Sequence, residues 1–64
     1  MITHEQRKWM TDAIAKSFEL IIFKHEEERL KIMLAKYADP RTEPTALEIK
    51  EDIKWLDDLH ALND

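Results

Sequence analysis

The sequence predicts an all-α fold, a helical hairpin in which one long helix is followed by a short loop and a shorter helix. Three observations predict it. The chain of 64 residues contains no glycine, both of its prolines lie within residues 40–44, and apolar residues recur at helical spacing on either side of them. We therefore expect a single domain over residues 1–64, with helices at about residues 3–38 and 45–62 and a loop at about 39–44.

The first predicted helix has a clear start and a clear stop. Thr3 and Gln6 have the spacing of a capping box, in which each side chain accepts a hydrogen bond from a backbone N–H near the helix start. Pro40 ends the helix, because proline cannot continue the hydrogen-bond ladder and disfavours helical geometry at Asp39. A helix of about 36 residues would be a rod roughly 54 Å long.

The charged run Lys24–Arg29 is a candidate break between two shorter helices. A continuous helix is favoured, because every residue in the run tolerates helix and Glu27 precedes Lys31 at a favourable spacing.

Seam positions of a coiled coil follow one another along this helix at alternating steps of four and three. Two of them are charged, Lys16 and Glu27. If two copies pack antiparallel about a point between Leu20 and Phe23, Lys16 of one copy faces Glu27 of the other. The alternative is that both charged side chains extend to solvent from the edge of a monomer core.

The second predicted helix is too short to cover the first. Thr45 and Glu48 form a second candidate capping box, with Thr42 as the rival cap. The apolar stripe that would close the hairpin comprises Ala46, Ile49, Ile53, Leu56 and Leu59. The N-terminal half of the long helix stays uncovered, which predicts an antiparallel homodimer forming a helical bundle. Its predicted interface comprises Trp9, Ala13, Ile14, Lys16, Leu20, Ile21, Phe23, Glu27 and Leu30.

Composition and motifs favour a non-enzymatic protein–protein interaction or regulatory protein. The absence of glycine and cysteine disfavours phosphate-binding loops and thiol chemistry, and Ser17 is the single serine. Short, charged chains without motifs are common among accessory proteins of phages and mobile elements, so a larger host protein is the expected partner. A candidate surface for binding this partner surrounds Trp55, Asp58 and Glu51. Neither a signal peptide nor a membrane-spanning segment is evident, so we expect a cytoplasmic protein.

Two alternatives remain open at this point. Basic residues of the long helix suit a nucleic-acid-binding dimer, a regulator of RNA or DNA, although acidic residues are interleaved and the net charge is −4. These basic residues are Arg7, Lys8, Lys16, Lys24, Lys31 and Lys36. A metal site is the lesser alternative, built from two helical pairs of ligands, His25 with Glu28 and Asp57 with His60. We expect no cofactor.

Overall fold

Three α-helices, where the sequence predicted two, make up the chain in the computed structural model, which describes residues 2–62. The helices are α1 (His4–Ser17), α2 (Lys24–Ala38) and α3 (Ala46–Leu62), and a 3-10 helix, Phe18–Leu20, follows α1. The all-α prediction is confirmed. The prediction of one continuous helix over residues 3–38 is wrong. The predicted domain also included residues 1, 63 and 64, which lie outside the described residues.

Both predicted capping boxes are present. Thr3 Oγ1 accepts a hydrogen bond from the backbone N–H of Gln6 at 3.0 Å, and Gln6 Oε1 accepts one from the N–H of Thr3 at 3.1 Å. At the start of α3, Thr45 Oγ1 accepts from the N–H of Glu48 at 3.1 Å. These local signals fixed two helix starts, because side chain and backbone donor belong to the same few residues.

The first predicted helix ends early at Ser17. Its hydroxyl donates to the carbonyl of Ala13 at 2.7 Å, a back-bond of the kind that bends helices. The backbone then tightens into the 3-10 helix and becomes extended at Ile21 (ψ 141°) and again at Phe23 (ψ 147°). The chain reverses direction here without glycine or proline.

Glu26, the third residue of α2, caps the start of its own helix. Its Oε1 accepts hydrogen bonds from the backbone N–H groups of Ile22 and Phe23, both at 2.9 Å. The side chain of Phe23, the N-cap residue, has no acceptor, so Glu26 supplies half of a capping box alone. These bonds lower the pKa of Glu26, the Phe23 bond more than the Ile22 bond. A break lies where the charged run begins, and the preference for a continuous helix missed it.

Polar contacts fix the directions of the three helices. Arg7, early in α1, donates to the carbonyl of Tyr37 at the end of α2, so these helices are antiparallel. Lys36, late in α2, pairs with Glu48, early in α3, so α2 and α3 are also antiparallel. Ser17 Oγ lies 3.0 Å from Nε2 of His60, which makes α1 and α3 parallel. The result is a three-helix bundle of 31 × 17 × 17 Å.

The core is closed within one chain because α1 folds back. Its buried apolar residues come from all three helices and the N-terminal segment: Ile2, Met10, Ile14, Leu30, Met33, Tyr37, Leu56 and Leu59. Breaking a long helix costs the hydrogen bonds of about one turn, roughly 1 kcal/mol each net, and Glu26 replaces two of them. Burying side chains such as Met10 and Ile14 returns about 1.5–3 kcal/mol each. The balance favours the fold-back.

The fold-back removes the argument that led to the predicted dimer. Pairing Lys16 with Glu27 across two copies required one straight helix through Leu20 and Phe23, and the chain turns there. Ile14 and Leu30, two predicted interface residues, are fully buried inside the single chain. Self-association itself stays a prediction, but this geometry for it does not fit the structure.

Replacing Glu26 with glutamine tests the cap at the break. Because bonding to two backbone N–H groups lowers the pKa of Glu26, its stabilising effect is present above the ordinary glutamate pKa and is lost as pH falls through the lowered value. We expect E26Q to lower the urea midpoint of unfolding, measured by circular dichroism, at neutral pH. In acid, the midpoints of E26Q and of the original chain should differ less. E28Q, an exposed change on the same helix, is the control; equal loss in both variants would contradict the cap.

Candidate functional site

An open groove between α1 and α3 is the main candidate site. Trp9 and Ala13 of α1 and Leu56 of α3 form its apolar lining, and the groove has a volume of about 460 Å³. Its charged and polar edges are Asp12, Lys16, Asp57 and His60. We call this depression the Trp9 groove. Trp9 is 56% exposed, although tryptophan is a side chain that folded proteins usually bury.

A second depression continues the same face toward the start of the two helices. Its apolar lining is Pro44, Ala46, Ile49 and Ile53, and Gln6 closes it on the α1 side. Because α1 and α3 are parallel, the two depressions lie end to end along one interhelical boundary. The face between α1 and α3 is therefore a long apolar strip with charged edges, the kind of surface that binds another protein segment.

Contacts at both ends hold α1 in place and so position Trp9. At the N-terminal end, Nη1 of Arg7 donates to the carbonyls of Tyr37 (3.0 Å) and Asp39 (2.8 Å), and Nη2 donates to that of Thr42 (2.6 Å). The guanidinium thus satisfies carbonyls that end α2 and begin the loop. The sequence analysis placed Arg7 among the basic residues of a nucleic-acid-binding surface. Its role needs the fold-back and has no local signal.

The Ser17–His60 contact at the other end has the residue types of a catalytic pair but not their arrangement. Ser17 has one hydroxyl proton, and the carbonyl of Ala13 accepts it at 2.7 Å. Nε2 of His60 is therefore the donor in its 3.0 Å contact with Ser17 Oγ. A histidine that donates to a serine cannot also take the proton of that serine. The contact ties α1 to α3 and carries no nucleophile.

Asp52 is the buried carboxylate on the opposite side of α3. The hydroxyl of Tyr37 donates to its Oδ2 at 2.7 Å, and Nζ of Lys36 lies 2.7 Å from the same atom. Arg29 lies 3.8 Å from Oδ1 and stacks over Trp55 at 5.0 Å. Burial, and then the bond to Asp52, raise the pKa of the Tyr37 hydroxyl well above its usual value. Because this cluster is compensated and only 5% of Asp52 is exposed, it acts as a polar link between α2 and α3.

The two candidate metal-ligand pairs lie in different grooves. His25 and Glu28 line a depression between α2 and α3, and the ring of His25 stacks on that of Phe23 at 5.6 Å. Asp57 and His60 line the Trp9 groove instead. Among residues 2–62, no three His, Asp or Glu side chains come together in a way that would hold a metal ion. The convergence that a four-ligand site requires is not present.

Comparisons with known proteins do not place the chain in a family. Comparison with protein-family models, with curated proteins and with solved structures finds no match. Within residues 2–62, none of the helices combines the length and the apolar character needed to cross a bilayer.

The remaining predicted interface residues lie in the groove, at the break and on α2. Trp9, Ala13 and Lys16 line the Trp9 groove. Leu20, Ile21 and Phe23 lie at the break, and Glu27 forms a 3.0 Å ion pair with Lys31 of its own helix. Sequence reasoning thus found the α1 side of the groove. It missed Asp57 as an edge residue, because only the parallel packing of α1 and α3 brings that residue beside Lys16.

The six basic residues of the nucleic-acid alternative do not form one free surface. Arg7 is bound to backbone carbonyls, Lys31 pairs with Glu27, and Lys36 pairs with Asp52. The other three, Lys8, Lys16 and Lys24, are exposed. Half of the proposed cations are therefore engaged within the chain, which lowers the phosphate affinity that they would supply.

Replacing Tyr37 with phenylalanine tests the polar link. We expect Y37F to lower the free energy of unfolding by about 1 kcal/mol at neutral pH, because a buried hydrogen bond is lost while Lys36 still compensates Asp52. Because folding raises the pKa of Tyr37, its protonated hydroxyl stabilises the folded state fully below about pH 10, the ordinary tyrosine pKa, and less above it. The deficit of Y37F in urea denaturation should therefore shrink above that pH.

A double-mutant cycle with D52N supplies the control for this variant. If Tyr37 acts through Asp52, the effect of Y37F should be smaller in the D52N background. Equal effects in both backgrounds would contradict the link.

Proposed function

We propose that this chain is a non-enzymatic protein–protein interaction protein, a small regulator that self-associates and binds a larger protein. The observation that carries the proposal is an excess of exposed apolar surface on a bundle whose core is already closed. Among residues 2–62, six large apolar side chains are more than half exposed: Trp9, Ile22, Phe23, Ile32, Leu47 and Leu62. Single exposed apolar residues are ordinary, but a tryptophan beside an apolar groove is typical of binding surfaces.

Two separate surfaces support two kinds of contact. The Trp9 groove lies between α1 and α3, and the depression between α2 and α3 presents Ile32, 70% exposed, beside Trp55. The second surface includes Trp55 of the shoulder suggested by the sequence, whereas Asp58 and Glu51 are solvent-exposed positions of α3. A chain with apolar surfaces on two sides can bind a copy of itself on one and another protein on the other.

The polar groups of the described residues support binding over catalysis. Asp52 and Tyr37 are bonded to each other, and Ser17 donates to a backbone carbonyl. No buried side-chain nitrogen or oxygen in residues 2–62 lacks a hydrogen-bond partner. Catalytic acids and bases usually have pKa values shifted toward the working pH beside a substrate cavity, whereas burial shifts the pKa of Tyr37 further from neutral. Here the satisfied groups join helices, and the exposed grooves present apolar side chains.

A quantitative pull-down compares three tagged proteins: the original chain, W9A and I32A. All lysates are treated with nuclease, and bound proteins are identified by mass spectrometry. We expect a discrete protein to be retained by the original chain and lost by more than about tenfold with one of the two variants, as for a truncated central contact residue. Both changes are at exposed positions, so circular dichroism should show unchanged helix content.

The contrary outcomes are specific. Retention of the same proteins by all three chains would contradict binding through these apolar surfaces. Nucleic acid recovered from an untreated lysate, with no protein retained after nuclease, would replace the proposal with the nucleic-acid alternative. In that case charge reversal at the exposed Lys8, Lys16 and Lys24 should abolish recovery.

A further inference from the structure

The exposed charges on the α1/α3 face form two opposed rows. On α1, Glu5, Trp9, Asp12 and Lys16 follow one another at steps of three or four, so they share one side of the helix. The row on α3 is Ala46, Lys50, Lys54, Asp57 and Ala61, again at steps of three or four. All nine residues are exposed. Charge runs from negative to positive along α1 and from positive to negative along α3.

One contact gives the register between these helices, and one shared depression agrees with it. Ser17 meets His60, a separation of 43 positions in the sequence. Gln6 and Ile49, which have the same separation, line one depression. A residue of α1 therefore lies level with the residue of α3 that is 43 positions later. The boundary between residues 10 and 11 is level with the boundary between residues 53 and 54.

We propose that the α1/α3 face binds a second copy of this chain, antiparallel, about a two-fold axis perpendicular to both helices at that level. The axis brings Glu5 against Lys16 of the second copy. It also brings Lys50 against Asp57 of the second copy. The midpoint between Glu5 and Lys16 on α1 is level with the midpoint between Lys50 and Asp57 on α3. One axis therefore produces both pairs. This proposal rests on the proposed interaction function and specifies its self-contact.

Symmetry repeats each contact, so the interface contains four pairs of opposite charge. The same axis places Ala46 level with Ala61 of the second copy, and small side chains at both ends of α3 allow close approach. Charges that match across a two-fold interface select one register and disfavour shifted ones. Lys54 lies at the axis beside Lys54 of the second copy, so the four attractive pairs must outweigh one repulsive contact.

Trp9 lies next to the axis. Two copies of its indole ring meet near the centre of the interface, each over the groove formed by Ala13 and Leu56 of the opposite chain. Asp12 is level with Trp9 of the second copy, whose indole N–H is a hydrogen-bond donor. Buried central aromatics of this kind contribute most of the binding energy in many interfaces. The exposure of Trp9 in the single chain is thereby explained.

A parallel packing about an axis along the helices fits less well. It would set Lys16 toward Asp57 of the second copy, but those residues are two positions from level. It would also point four helix dipoles in one direction, whereas the antiparallel packing opposes them. The two packings differ in which residue faces Lys16, and this difference can be measured.

The size of the face indicates a dimer of modest affinity. A bundle of 31 × 17 Å presents roughly 500 Å² per copy, at the low end of the range for specific interfaces. We therefore expect a concentration-dependent equilibrium in the micromolar range that weakens with added salt, because the charge pairs are at the rim.

Sedimentation equilibrium of five proteins over a wide concentration range tests this proposal. The original chain should dimerise, and K16E should weaken the dimer about tenfold or more, because two attractive pairs become repulsive. K16E combined with E5K should restore dimerisation, whereas K16E combined with D57K should not. All of the substituted positions are exposed, and circular dichroism checks that each variant is folded. W9A should weaken the dimer with no change in any charge.

Three results would overturn the proposal: a monomer at every concentration, an undiminished dimer in K16E, or rescue by D57K in place of E5K. Rescue by D57K would assign the parallel packing. A monomer would leave the pull-down of a different protein unaffected, so failure of this proposal can be told apart from failure of the proposed function.

Discussion

The structure depends on one reversal of the backbone, at residues Ile21–Phe23, and on the carboxylate that stabilises it. Glu26 accepts hydrogen bonds from the two backbone N–H groups that the interrupted helix leaves without partners. Without this cap, the chain could continue as a rod and leave Met10 and Ile14 in water. With it, α1 returns along α2, the core closes in one chain, and α1 and α3 together form one exposed face.

Local signals allowed part of this fold to be predicted. Thr3 with Gln6 and Thr45 with Glu48 act within one helical turn, and Pro40 acts on its immediate neighbours, so their effects can be read from sequence spacing. The break could not be read in the same way. All residues of 18–23 tolerate helix, and the energy that favours interruption comes from burying Met10 and Ile14 against distant parts of the chain. The one weak sign of the break was Glu26, which could act as half of a capping box although no Ser or Thr stands three positions before it.

The candidate site shows the same division. Trp9, Ala13 and Lys16 were placed in an interface from their spacing on one helix, and they do share the edge of one groove. Their assumed partners were wrong, because a straight helix set Lys16 against Glu27. The register of α1 against α3 sets Glu5, Lys16, Lys50 and Asp57 in two rows instead. Such a pattern depends on two helices that are adjacent only in the folded chain, so no single-helix period shows it.

The central claim is that α1 folds back on α2 within one molecule, and a distance measurement tests it most directly. The chain has no cysteine, so a pair can be introduced at His4 and Ala38, two exposed positions that line one depression between α1 and α2. Double electron–electron resonance between spin labels there, diluted with unlabelled protein, reports the distance within one chain. The fold-back predicts a distance well within the 31 Å length of the bundle. A distance near 50 Å, about 1.5 Å for each intervening residue of a continuous helix, would contradict it.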